Sequence, residues 1–223
     1  AVQLVFSLLS AGDHVLMSED LYGGTVRLAE EVFAGYGVTF EYVDVRDLAL
    51  VGKRMRPETK LVFIETPSNP MMQISDIAAL SALAHENGAL LAVDNTFLSP
   101  HFQKPLTLGA DIVLHSGTKY LCGHNDVIAG FLVLKDATSA QAKRIELLAK
   151  SAGPNLSALD SWLMLRSIKT LGVRVERQAE NALAIARWLG TLPEVTEVLY
   201  PGLAGHPGYA LQQKQASGAG GMI

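Results

Sequence analysis

Ser75-Asp-Ile-Ala-Ala-Leu-Ser-Ala-Leu-Ala-His-Glu-Asn-Gly-Ala-Leu-Leu-Ala-Val-Asp94 holds two hydrophobic periods back to back. Ile77, Leu80, Leu83 and Ala84 recur at helical spacing, Ser75 can cap the start, and Gly88 suits the end. Ala89 to Asp94 is then apolar without alternation until it breaks on a carboxylate. A strand buried on both faces reads this way, and a helix leading into such a strand is the unit of a parallel sheet covered by helices.

The same alternation extends in both directions. His14–Ser18, Val38–Val43, Leu61–Ile64, Asp111–His115 and Val127–Leu134 are strand-like, and Thr25–Gly35 is helical through Val26, Ala29, Glu30 and Phe33. Ser157–Gly190 reads as a long helical stretch striped by Val175, Ala179, Ala182, Leu183, Ala186 and Leu189. Thr196–Leu199 begins a last strand that Pro201-Gly202 turns out of. The fold class expected is α/β, a mostly parallel seven-stranded sheet between helices. Ala1–Leu9 reads as the tail of a helix and Gly220-Gly-Met-Ile223 as entry into a strand, so a fragment of a longer chain is expected.

Across 223 residues, 49% are hydrophobic, 18% are charged and the net charge is −4, which favours a large core over disorder. With acids and bases mixed and no basic block, nucleic acid is not an expected partner, and no apolar run is long enough to suggest a membrane. The lone cysteine, Cys122, excludes an internal disulfide and points to a reducing, cytoplasmic setting. Cys122 also lacks an evident activating base, and the histidines show no metal-ligand spacing, so no metal is expected.

In open α/β sheets ligands sit at the carboxyl ends of the strands. Asp94 ends one strand, where an ionised carboxylate needs a partner: a helix cap, a basic residue or a protonated pyridine nitrogen. Lys119 follows another in Ser116-Gly-Thr-Lys119, where the two hydroxyls can donate to a phosphate. A lysine that forms a Schiff base needs its pKa lowered from about 10.4 by burial or a nearby cation. Tyr22, before Gly23-Gly24, can lay its ring on an aromatic ligand or sit in the core beside a turn. Asn69, between Ser68 and Pro70, offers an amide or simply forms a turn.

Taken in order, Asp20-Leu-Tyr-Gly-Gly-Thr-Val-Arg27, Glu65-Thr-Pro-Ser-Asn-Pro70, Asp94-Asn-Thr-Phe97 and His115-Ser-Gly-Thr-Lys-Tyr120 resemble the Cys/Met metabolism (trans-sulfuration) family of pyridoxal-phosphate enzymes. Gly123-His-Asn-Asp-Val127, Lys169-Thr-Leu171 and Tyr200-Pro-Gly-Leu203 continue the match. The resemblance implies that Lys119 forms the Schiff base and shuttles protons, and that Asp94 pairs with the pyridine nitrogen. Tyr22 would stack on the ring and share in proton transfer, Ser116 and Thr118 would hold the phosphate, and Asn69 would lie by the cofactor phenolate and the substrate carboxylate.

The fold implied is the aspartate-aminotransferase type, with 1–190 the cofactor-binding large domain and 191–223 the start of the small one. The N-terminal arm, which reaches a neighbouring subunit's phosphate, and most of the small domain would lie outside the span. A homotetramer, a dimer of dimers acting on a small amino-acid substrate, is implied. Gly123-His-Asn-Asp-Val127 looks like bacterial cystathionine γ-synthases and O-acetylhomoserine thiolyases. Gly24 stands where methionine γ-lyases carry cysteine, which argues against that activity. Cystathionine β- or γ-lyase is the alternative, with an aminotransferase or a non-catalytic fragment behind it. Gly117, Cys122 and Ser167-Ile168 depart from commoner family choices and leave substrate preference open.

Overall fold

A computed structural model describes residues 1–223. Its centre is a sheet of β1 (His14–Ser18), β2 (Thr39–Val43), β3 (Thr59–Glu65), β4 (Leu90–Asp94), β5 (Ile112–Ser116) and β6 (Gly130–Leu134), in the order β2-β1-β3-β4-β5-β6. β1 to β5 run parallel and β6 pairs antiparallel with β5.

Each face of the sheet has its own core. On one, Leu16, Val62, Ile64, Leu91, Val93 and Val113 meet Ile77, Leu80 and Ala84 of α4 (Ile77–Glu86). On the other, Met17, Phe63, Ala92 and Leu114 meet Val5 and Phe6 of α1 (Val2–Phe6) together with Phe33. Two buried faces explain why the central strands carry no polar alternation. Phe6 anchors the second core, with its ring 5.5 Å from Phe33, 5.3 Å from Phe40 and 5.7 Å from Phe63.

The strand ends are in register where it matters. Glu65 lies opposite Asp94, and Asp94 opposite Leu114, so the carboxyl ends of β3, β4 and β5 finish in one row. Gly88, at φ +72, ends α4 by adopting the left-handed conformation that its lack of a Cβ permits.

The sheet has six strands, not seven. Thr196–Leu199 forms no strand: Val198 packs beside Tyr200, Ala182 and Ala186, away from any free strand edge. β-rich composition makes a strand only where a ladder partner is available. Residues 220–223 likewise pair with no strand. The cap of α4 is Asp76, which accepts from Ala79 N–H at 3.0 Å, while the Ser75 N–H is taken by Thr66 Oγ1.

Several helices differ from the sequence reading. The helix after Tyr22 runs as α2 (Gly23–Leu28) and then widens into a π turn over Ala29–Phe33 and tightens into a 3-10 turn. α3 (Leu48–Arg54) and α6 (Ala140–Ala152), capped by Asp47 and Ser139, were not expected from periodicity. The long helical stretch divides into α7 (Ala158–Ser167) and α8 (Leu171–Leu189) around a 3-10 turn. No helix is long and apolar enough to cross a membrane.

After α8 the chain returns over the carboxyl side. Gln215, at the end of α9 (Tyr209–Gln215), accepts from Ile77 N–H at 3.3 Å and donates to Ser75 O at 3.0 Å. The Tyr200 hydroxyl donates to Gly220 O at 3.0 Å.

Phe63→Ala, at the middle of the aromatic core, should cost about 3–5 kcal/mol. Ile128→Ala, on a side chain 88% exposed, should change stability by less than about 0.5 kcal/mol. Urea unfolding midpoints of the two variants test this contrast.

Candidate functional site

At the carboxyl ends of β4 and β5 lies a cavity of about 230 Å³, lined by Tyr22, Gly24, Thr25, Asp94, Ser116 and Gly130 among others. Asp94 forms its floor. Burial pushes the Asp94 carboxyl above its ordinary range, and hydrogen bonds from Thr96 pull the other way. No basic side chain pairs with it. Thr96 donates to Asp94 Oδ1 from its hydroxyl at 2.5 Å and from its N–H at 3.0 Å. The same hydroxyl oxygen accepts from Ser116 N–H at 2.8 Å, so one threonine ties the acid to the loop after β5.

Tyr22 enters from the turn after β1, with 57% of its surface exposed. Its N–H donates to Glu65 Oε2 at 2.9 Å, and its carbonyl accepts the Thr25 N–H at 2.8 Å as α2 begins. The Tyr22 ring lies against Gly24, where a Cβ would oblige the ring to shift. Glu65 is buried, and its carboxyl is pushed up to about 8, first by burial and then by Asp94, against the pull of the Tyr22 N–H.

After β5 the chain makes a π turn over Gly117–Leu121, within which Lys119 departs from helical geometry at φ −88, ψ −119. Gly117 lets Phe131 and Ala129 approach, and a Cβ there would come within 2.9 Å of the Ala129 methyl. Thr118 Oγ1 accepts from Ala129 N–H at 3.0 Å. Arg174 of α8 fixes the far side of the turn, donating to Tyr120 O at 2.9 Å and to Ser167 O at 3.2 Å.

The structure thus gathers Tyr22, Asp94 and Ser116 around one cavity, with Thr118 and Lys119 on the turn that leaves Ser116. Lys119 is exposed in this span. Asn69 does not line the cavity: it is half-buried on the loop after β3. That loop is held by Asp20, which accepts from the Ser68 hydroxyl and from Met71 N–H at 3.0 Å. Cys122 is buried and free, its thiol pushed up by burial, which is the environment of an unreactive cysteine. Thr96 and Glu65 stand within the quoted motifs, yet sequence reasoning gave neither a role. Their signal was position, since each lies at or just beyond a strand end beside another acid.

An acid with no basic partner, an exposed ring above it and hydroxyls alongside suit a flat, cationic, phosphate-bearing group. In class, this is an α/β fold of the kind that carries an aromatic cofactor at the ends of its strands. The chain matches the family described as "Cys/Met metabolism PLP-dependent enzyme" over residues 1–223, and it belongs to that family. It is 45% identical over 223 residues to cystathionine beta-lyase MetC of Bacillus subtilis, covering all of this chain and 57% of that protein. It is 44% identical over 217 residues to a cystathionine gamma-synthase of Mycobacterium bovis, covering 97% of this chain and 55% of that one. The crystal structure of cystathionine gamma-lyase from Lactobacillus plantarum complexed with L-serine superposes with a TM-score of 0.96 at 44% identity, over 99% of this chain and 57% of the other. The chain therefore spans a little over half the length of these relatives.

Thr96→Val removes the hydroxyl that serves both Asp94 and Ser116, and should cost about 1–3 kcal/mol through the polar groups it leaves unpaired. Thr96→Ser should retain most of that stability. Denaturant titration of the two variants separates loss of the hydroxyl from loss of the methyl.

Proposed function

We propose that this chain is the greater part of the cofactor-binding domain, 1–190, and the first part of the small domain, 191–223, of a trans-sulfuration enzyme. Its reaction is cystathionine γ-synthase-like, replacing the γ-substituent of an O-acylhomoserine with a thiol. The observation that carries the cofactor reading is Asp94, a half-buried carboxylate with no basic side chain beside it, on the floor of a cavity roofed by Tyr22. The γ-synthase preference rests on Gly123-His-Asn-Asp-Val127 and on the synthase among the relatives. Cleavage of cystathionine is the second reading, and the lyases among the relatives favour it.

When bound, pyridoxal phosphate supplies an electron sink for negative charge developing beside the substrate amine. Asp94 would hold a proton on the pyridine nitrogen and so keep the ring cationic. Tyr22 would cover the ring face. The Ser116 hydroxyl would meet the phosphate, as would that of Thr118, which here pairs with Ala129. Lys119 would hold the cofactor covalently through Nζ, and the same amine, freed when the substrate amine takes its place, would accept a proton from the substrate α-carbon. Its exposure in this span would end once cofactor and the neighbouring chain cover it. Asn69 would reach the substrate carboxylate. The working assembly would be a homotetramer in the cytoplasm.

In the full-length protein, pyridoxal phosphate should give a visible absorbance band that Lys119→Ala abolishes or shifts. Turnover should fall by at least about a thousandfold with the loss of the group that moves the α-proton. An unimpaired Lys119→Ala variant would contradict the assignment. Assaying O-acylhomoserine plus a thiol beside cystathionine alone chooses between the two readings: faster γ-replacement supports the synthase, and release of keto acid from cystathionine supports the lyase. A protein comprising only residues 1–223 should bind the cofactor weakly and turn over little.

A further inference from the structure

Glu65 ends β3 directly beneath the Tyr22 backbone and opposite Asp94 in register, and only 5% of its surface is exposed. The groups that act on its charge are Asp94 from β4, Asp20 from the turn after β1 and the Tyr22 N–H. Two are acids, and no cation faces it. A second buried anion beside Asp94, with no counter-charge, would cost several kcal/mol.

The only hydrogen bond to Glu65 comes from the residue whose ring roofs the cavity. Oε2 accepts the Tyr22 N–H at 2.9 Å, and the Tyr22 carbonyl accepts from Thr25 at 2.8 Å and Val26 at 3.4 Å. The backbone at Tyr22 is thus pinned from both sides, by α2 through its carbonyl and by Glu65 through its N–H. Because Gly24 leaves the ring against bare backbone, the place of the ring follows from the place of that backbone.

Resting on the cofactor reading above, we propose that Glu65 is a positioning residue, the uncharged member of a carboxyl pair with Asp94, which sets the Tyr22 ring over the cofactor. An accepting carbonyl oxygen is all that the Tyr22 N–H requires, and a neutral acid supplies it. Asp94 is then left as the single anion facing the ring nitrogen.

Glu65→Gln keeps the carbonyl oxygen and the neutral state; Glu65→Ala removes both oxygens. In the full-length protein, Glu65→Ala should weaken pyridoxal-phosphate binding at least about tenfold and flatten the visible circular dichroism of the bound cofactor. Glu65→Gln should stay within about twofold of wild type in affinity and keep that band, as loss or retention of one buried hydrogen bond dictates.

A second readout needs no cofactor. A carboxyl whose pKa is raised on folding contributes fully below its unfolded value of 4.5 and loses that contribution as pH rises towards about 8. The cofactor-free Glu65→Gln protein should therefore gain thermal stability over wild type as pH rises across that window.

Glu65→Ala binding as tightly as wild type, Glu65→Gln as weak as the alanine variant, or a stability difference flat with pH would each overturn the assignment of Glu65 alone. A wild type with no cofactor band would overturn the cofactor reading and this proposal together. Should Glu65→Ala fail to fold, the glutamine variant and its pH profile still decide.

Discussion

The carboxyl of Asp94 sits at the end of a strand whose three central residues are buried, with no basic side chain to pair with, and the surrounding structure answers that cost. Thr96, two residues on, turns its hydroxyl and N–H back onto the acid, and the same hydroxyl accepts from Ser116. The neighbouring acid, Glu65, is held above its ordinary pKa range. Two hydrogen bonds reduce the desolvation penalty but do not cancel it, and burial still outweighs them. A carboxylate held this way, with no basic side chain beside it, suits a cationic partner.

Topology explains why the groups that surround Asp94 come from distant parts of the sequence. Strand order reverses beside β1, with β2 on one side and β3 on the other, and such a reversal opens a crevice at the carboxyl edge. The turn after β1 spans that crevice and brings Tyr22 onto Glu65 of β3. β4 contributes the acid, and β5 the hydroxyl loop and the lysine. The Gly117–Leu121 turn is held from behind by Arg174, whose guanidinium reaches carbonyls on two segments. Ionic and hydrogen-bonding reach across elements therefore fixes what the parallel ladder alone would leave adjustable.

The buried strands were readable because period and burial coincide: Leu90–Val93 is apolar throughout since both faces of β4 are covered. Where the two signals part, the reading fails. Val198 is β-branched in a β-rich run, yet it lies beside α8 with no ladder to join, and composition cannot reveal a missing partner. The site shows the same division. Tyr22, Asp94 and Ser116 could be named from motif order, whereas Thr96 and Glu65 act through hydrogen bonds between elements whose neighbours are known only after folding. Lys119 was identified by sequence, but its surroundings were not, because burial of an exposed turn depends on what packs over it.

The relatives divide into synthases and lyases, yet this span resembles both almost equally, at 44% and 45% identity. That near-equality has a physical basis. Elimination and replacement share their opening steps, which require an acid on the ring nitrogen, a stacked tyrosine, a phosphate loop and a mobile lysine amine. The residues proposed for these roles all lie at the strand ends described here. What separates the outcomes is whether a thiol is held beside the substrate side chain while water is kept away, and that depends on groups facing the far end of the substrate. The same scaffold can therefore serve either chemistry without a change in its core.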